Sequence, residues 1–209
     1  MQQPKSQQNM EYPSGIETAF PGFDRVYYAR SPGEGVFVAA LNVSLEQAFG
    51  LIRAEFVPPE PVSAAWVYGR RRPGDFIWTS FAAPIIVSDR VVRVFRENAV
   101  HGWTTYKVAL SDRAGEPIEG YSGLAIKGRC GPMQPDRRQE IRKPGPVGNV
   151  ITVYRGLFFD PLSWDGADIF VPEGTGLVLM MDTVVAALKF AAVTGVEFVR
   201  ADLNESPVR

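Results

Sequence analysis

The stretch from Asp75 to Leu110, D-F-I-W-T-S-F-A-A-P-I-I-V-S-D-R-V-V-R-V-F-R-E-N-A-V-H-G-W-T-T-Y-K-V-A-L, occurs twice in the chain. A gapless shift of 93 positions lays it on Asp168 to Leu203, D-I-F-V-P-E-G-T-G-L-V-L-M-M-D-T-V-V-A-A-L-K-F-A-A-V-T-G-V-E-F-V-R-A-D-L. Eight of the 36 aligned positions are identical: Asp75/Asp168, Asp89/Asp182, Val91/Val184, Val92/Val185, Ala99/Ala192, Val100/Val193, Gly102/Gly195 and Leu110/Leu203. Average composition gives about two by chance.

Each copy reads as strand, helix, strand. Ile85-Ile86-Val87 and Leu177-Val178-Leu179-Met180 are short apolar runs of strand type. Ser88-Asp89 and Asp182-Thr183 offer oxygens to the free N–H groups of a first helical turn. Val91, Val92, Phe95 and Ala99 share one helical face, as do Val184, Val185, Leu188 and Ala192. Gly102 and Gly195 are expected to supply the left-handed residue that ends each helix. Trp103 to Leu110 and Val196 to Ala201 then close the units as strands.

The whole chain has 209 residues, 45% hydrophobic, with 22 basic and 23 acidic side chains. That suffices for a sizeable core. A net charge of −1 argues against a general nucleic-acid or anionic-membrane binder, whose affinity rests on basic excess. The single cysteine, Cys130, excludes a disulfide within the chain and a cysteine-based zinc site. No opening segment resembles a signal peptide, and Lys189 breaks the longest apolar helical stretch. A soluble cytoplasmic protein is expected.

Residues 1–15 are polar and Pro/Gln-rich, which predicts a poorly ordered tail. Residues 16–209 then form one domain. Val26 to Ala29 and Val36 to Leu41, separated by Ser31-Pro32-Gly33-Glu34-Gly35, read as strand, turn, strand. Ser44 and Gln47 make a capping box for a helix carrying Leu45, Ala48, Phe49 and Ile52. Val62 to Tyr68 is a further strand, and Ser111 to Glu116 a hairpin turn. Residues 128–148, rich in Pro, Gly and charge, predict an exposed loop, after which Asn149 to Phe158 resumes as a strand.

No enzyme emerges from the titratable residues. His101, the only histidine, aligns with Thr194, where a polar cap suffices, and Cys130 is expected to be an incidental thiol. No cofactor is expected, and one histidine cannot build a histidine-rich metal site. Arg70-Arg71-Arg72 reads as a solvated turn. Asp160, Asp165, Asp168 and Glu173 cluster around Trp164, which is expected to be exposed. Their spacing does not match a calcium loop, so turn chemistry and caps are the simpler reading. Paired carboxylates of a hydrolytic or metal-dependent enzyme remain the alternative. Asp75 and Asp168, recurring at a strand entrance, should each bond a backbone N–H.

The segment W-D-G-A-D-I-F-V-P, followed by L-V-L-M-M-D-T-V-V-A-A-L-K-F-A-A-V-T-G-V-E-F-V, resembles the C-terminal signature of a family of bacterial immunity proteins from polymorphic-toxin systems. Trp164, Gly166, Asp168, Phe170, Asp182, Val185, Leu188, Thr194, Gly195 and Phe198 match its pattern. Val87, Ser88, Arg90, Val91 and Phe95 match the family's upstream block. The resemblance spans about residues 75–203. Met181 stands where a small polar cap is usual, and the Cys-x-x-Cys-Gly element of some relatives is absent.

The resemblance implies a cytoplasmic protein that binds and neutralises one toxin domain, with no active site of its own. Asp160, Trp164, Asp165, Asp168 and Glu173 are then the candidate partner-binding residues, with the 128–148 loop as a second candidate surface. A regulatory interaction module is the other non-enzymatic reading. The expected architecture is a single α+β domain. Its mixed sheet is formed largely by the two pseudo-repeated strand–helix–strand units, 75–110 and 168–203, with helices packed on one side.

Overall fold

A computed structural model describes residues 19–33, 36, 38–69, 72–80, 84–145 and 148–207. The expected tail over residues 1–15, and Arg70 and Arg71, lie outside the described residues. The chain is mixed α+β. Its strands are β1 (Val26–Arg30), β2 (Val38–Leu41), β3 (Val62–Tyr68), β4 (Phe76–Thr79), β5 (Ile85–Ser88), β6 (Trp103–Tyr106), β7 (Val108–Ser111), β8 (Tyr121–Ile126), β9 (Gly128–Cys130), β10 (Gln139–Pro144), β11 (Val150–Arg155), β12 (Ile169–Pro172), β13 (Val178–Met181), β14 (Glu197–Arg200) and β15 (Glu205–Pro207). The helices are α1 (Leu45–Ile52), α2 (Asp89–Glu97) and α3 (Asp182–Phe190). Among the described residues no helix is long and apolar enough to cross a membrane.

Among the described residues there are three sheets instead of one: β6-β8-β5-β4-β2-β3-β7, β14-β1-β13-β12-β9 and β10-β11-β15. The strands flanking α2 lie in the first and those flanking α3 in the second. Four strands of each are paired alike, all antiparallel: β6-β8-β5-β4 and β14-β1-β13-β12. The registers also correspond. Tyr121 lies opposite Ser88 and Leu124 opposite Ile85, as Val26 lies opposite Met181 and Ala29 opposite Val178. Beyond them β2 adds parallel to β4, and β9 parallel to β12.

The two strands read on either side of residues 31–35 are present, but they do not pair with each other. β1 pairs with β13 and β14, whereas β2 pairs with β3 and β4. In the same way β8 joins the first sheet and β9 the second. The first sheet is thus the unbroken run β2 to β8, and β1 alone crosses to the second.

The outer strands of the seven-stranded sheet, β6 and β7, are separated only by Lys107. One stretch pairs with β8 through its first part and with β3 through its second, so the sheet closes on itself as a barrel. Ala39, Ala64, Ile77, Ile86 and Leu110 pack together in its apolar interior, with Tyr106 against them. The Tyr106 ring lies on Gly123, where any Cβ would overlap it. Its hydroxyl is buried without a partner, and burial pushes the phenol pKa upward.

A second core joins the two large sheets. Phe76, Ile85 and Val87 meet Ile169, Val178 and Met180, with Val91 and Phe95 of α2 and Val184 and Leu188 of α3 between them. α1 contributes to both cores, Leu51 to the barrel cluster and Ile52 to the cluster that holds α2 and α3. Its capping box is present: Ser44 Oγ accepts from Gln47 N at 3.2 Å and Ser44 N donates to Gln47 Oε1 at 2.9 Å.

The ends of α2 and α3 differ from expectation. Neither Ser88 nor Met181 caps through its side chain. The left-handed residues after the helices are Ala99 (φ 48°) and Ala192 (φ 49°), three positions before the glycines. Gly102 (φ 90°) and Gly195 (φ 82°) serve at the next turn. There a Cβ would run into the carbonyl oxygen of Ile169 or of Phe76, respectively.

The expected 128–148 loop holds two strands. β9 is largely buried between its neighbours, and β10 forms a ladder with β11 from Gln139↔Arg155 to Pro144↔Val150. The side chains of β10 are mostly exposed or half-buried, so no apolar alternation marks it as a strand.

Candidate functional site

Asp160, Trp164 and Asp165 belong to one surface loop pinned to β9. Asp160 Oδ1 accepts from Leu162 N at 3.1 Å and starts a short 3-10 turn, Pro161–Ser163. Ser163 Oγ donates to Asp160 O at 2.5 Å and accepts from Gly131 N at 2.7 Å. Asp165 completes the attachment: its N–H donates to Arg129 O at 3.1 Å, and its Oδ2 accepts from Arg129 N at 2.7 Å. An edge strand's open N–H and C=O are thereby paired by one residue, which blocks that edge to other chains.

Trp164 is half-buried, contrary to the exposure expected of an aromatic among acids. Its indole N–H donates to Ala167 O at 3.0 Å. Its ring packs on Phe20 and Phe170, with centroids 5.6 and 6.2 Å away. The local polarity misled because the neighbouring carboxylates point back to the backbone, leaving the indole to join the core below the loop. The residue that does stand out is Leu162, 95% exposed at the loop's tip. Sequence reasoning passed over it, although an apolar residue directly after Asp160-Pro161, an N-cap and first-turn pair, was its available signal.

Asp168 and Glu173 do not converge with that loop. Asp168 Oδ2 accepts from His101 N at 2.8 Å and lies 3.3 Å from His101 Nδ1. Asp75 has the corresponding place in the other half. Its Oδ2 accepts from Thr194 N and Thr194 Oγ1, both at 2.9 Å, and its Oδ1 from Ser88 Oγ at 2.8 Å. Both aspartates bond a backbone N–H as expected, but across to the opposite half rather than to a sequence neighbour. Burial alone would raise the Asp75 pKa; the Thr194 and Ser88 hydrogen bonds and the Arg90 charge hold it below its usual value. The Glu173 side chain is exposed, while its backbone N–H donates to Cys130 O at 3.0 Å.

Cys130 is buried on β9, and burial together with the Asp165 charge pushes its pKa up to about 12. A thiol so held stays protonated at neutral pH, without the thiolate a nucleophile needs. Among the described residues no three His, Cys, Asp or Glu side chains gather as a metal site.

No protein-family model and no curated protein matches this chain. The site must be read from its own geometry. β9 is its strut: the 160–165 loop hangs from Arg129 and Gly131, and the turn beginning at Glu173 hangs from Cys130. The Arg129 guanidinium turns back to donate to Ile126 O and Gly128 O, at 2.6 and 2.9 Å, and to Arg53 O after α1. A cavity of about 580 Å³ opens there, between the end of α1 and Gly174.

Proposed function

We propose that this chain is an immunity-type protein that binds and neutralises a cognate bacterial toxin domain by direct contact in the cytoplasm. The observation that carries the reading is the 160–165 loop, whose carboxylates and hydroxyl hold the backbone while an apolar side chain faces solvent. A pre-ordered loop loses little conformational freedom on association, and an exposed apolar anchor ringed by polar groups suits a protein interface. Asp160, Trp164 and Asp165 shape this surface, and Leu162 and Glu173 contact the partner. Asp168 acts apart from the loop, by holding His101.

Residues 75–110 and 168–203 are, in the same proposal, copies of one strand–helix–strand unit. Their identities, the shared pairing and register of the strands around them, and the two glycines under opposed carbonyls support this.

The test is co-expression with the product of the adjacent upstream gene, followed by co-purification and measurement of growth. A stable complex with growth rescue is expected. Leu162→Asp should weaken the complex by tenfold or more, about 1.4 kcal/mol, while the folded protein is retained. A harmless neighbour that forms no complex would falsify the reading.

A further inference from the structure

We infer that the cavity beside α1 receives a basic side chain of the protein partner, with an aromatic or aliphatic residue packed next to it. This deepens the proposed toxin-binding role and rests on it for the partner's identity. The floor is apolar: Phe49 and Phe56 line it, and Gly50 permits it, because a Cβ there would lie 2.8 Å from the Phe56 Cβ. The apolar surface continues outside. Leu45 is 57% exposed and Phe49 37% exposed one helical turn on, and Val57 is 82% exposed just past Phe56. An unpartnered helix face running into a cavity fits a packed side chain better than it fits solvent.

Charge selects the occupant. Arg53, the cation in the lining, is already paired with Glu55 at 3.0 Å. Glu46 also lines the cavity and has no ion-pair partner among the described residues, so the lining carries Glu46 and Glu55 against Arg53. One uncommitted carboxylate in a lining that also holds two phenyl rings is complementary to a guanidinium or ammonium, which gains from both the charge and the ring faces. An acidic occupant would meet repulsion from the same groups.

The test is titration of the isotope-labelled protein with the blocked dipeptide acetyl-Phe-Arg-amide, followed by amide chemical shifts. Shifts should be confined to residues 45–57 and 173–176. Acetyl-Phe-Gln-amide should bind at least about tenfold more weakly, since it keeps the ring and loses the charge. Phe49→Ala and Glu46→Gln, both at surface positions, should each weaken the arginine peptide without altering the circular dichroism spectrum. No shifts, equal binding of the two peptides, or unchanged binding by Phe49→Ala would overturn the inference. Peptide binding without a toxin complex would sink the immunity reading alone. A toxin complex without peptide binding, and unaffected by Phe49→Ala, would sink the cavity alone.

Discussion

The two large sheets share a four-strand pattern, yet one closes and the other splits. In the first, β2 is followed outward by β3 and β7, and the contiguity of β6 with β7 completes a barrel. In the second, β9 is the last strand, and after β14 the short turn Ala201–Leu203 carries the chain to β15, which pairs with β11 instead. The gap is filled by side chains. Phe159 packs edge-on against Phe20 and Phe170, and the Arg137 guanidinium sits over Phe23 and Phe158. A closed sheet has no edge to defend, whereas an open one must be covered by loops. The covering loop is the one that carries Leu162, so the half that departs from closure is the half that can present a surface.

The sharpest test of the underlying likeness is the pair Gly102→Ala and Gly195→Ala. Each forces a left-handed alanine and drives its methyl into a carbonyl oxygen, so both should cost about 3 kcal/mol in urea unfolding. One tolerated and one ruinous substitution would break the correspondence between the halves.

The two aspartates should separate next. The Asp75 side chain is 12% exposed and that of Asp168 is 32% exposed, and Asp75 has the larger set of partners. Asp75→Ala is expected to cost about 2–3 kcal/mol and Asp168→Ala about 1 kcal/mol. The Asp75 contribution also depends on pH. Its folded pKa lies below the unfolded value, so its stabilisation is complete above that unfolded value and fades as pH falls through the folded one. The gap between wild type and Asp75→Ala should therefore narrow in acid below about pH 4. A gap that widened there would overturn the assigned hydrogen bonds.

The smallest effects belong to the helix ends. Ala99→Gly and Ala192→Gly relieve a left-handed alanine and should each raise stability by about 0.5–1 kcal/mol. Similar gains at both sites would sharpen the comparison, and a loss at either would show that the methyl packs there.

Local structure was the legible part of the sequence. The faces of α2 and α3 follow from the spacing of Val91, Val92 and Phe95 and of Val184, Val185 and Leu188, and the Ser44–Gln47 box marks where α1 begins. The pairing of strands was not legible. Val26 to Ala29 and Val36 to Leu41 read as strands from their own residues, which say nothing of their partners, while partner choice is decided by which sheet face needs them. β10 was hidden because its stabilisation is backbone pairing with β11, which leaves no apolar trace. At the site, Asp165 was visible as an acid but not as a strand mimic. That role requires Arg129, 36 residues away.

The order of strands also sets the order of events during synthesis. β8 lies between β5 and β6 and is made after both, so the barrel cannot close until the chain through Ile126 has left the ribosome. β1 waits longer, since its partners β13 and β14 begin at Val178 and Glu197. Long-range pairing of this kind delays folding. The nascent protein thus holds β1 unpaired until β13 and β14 arrive.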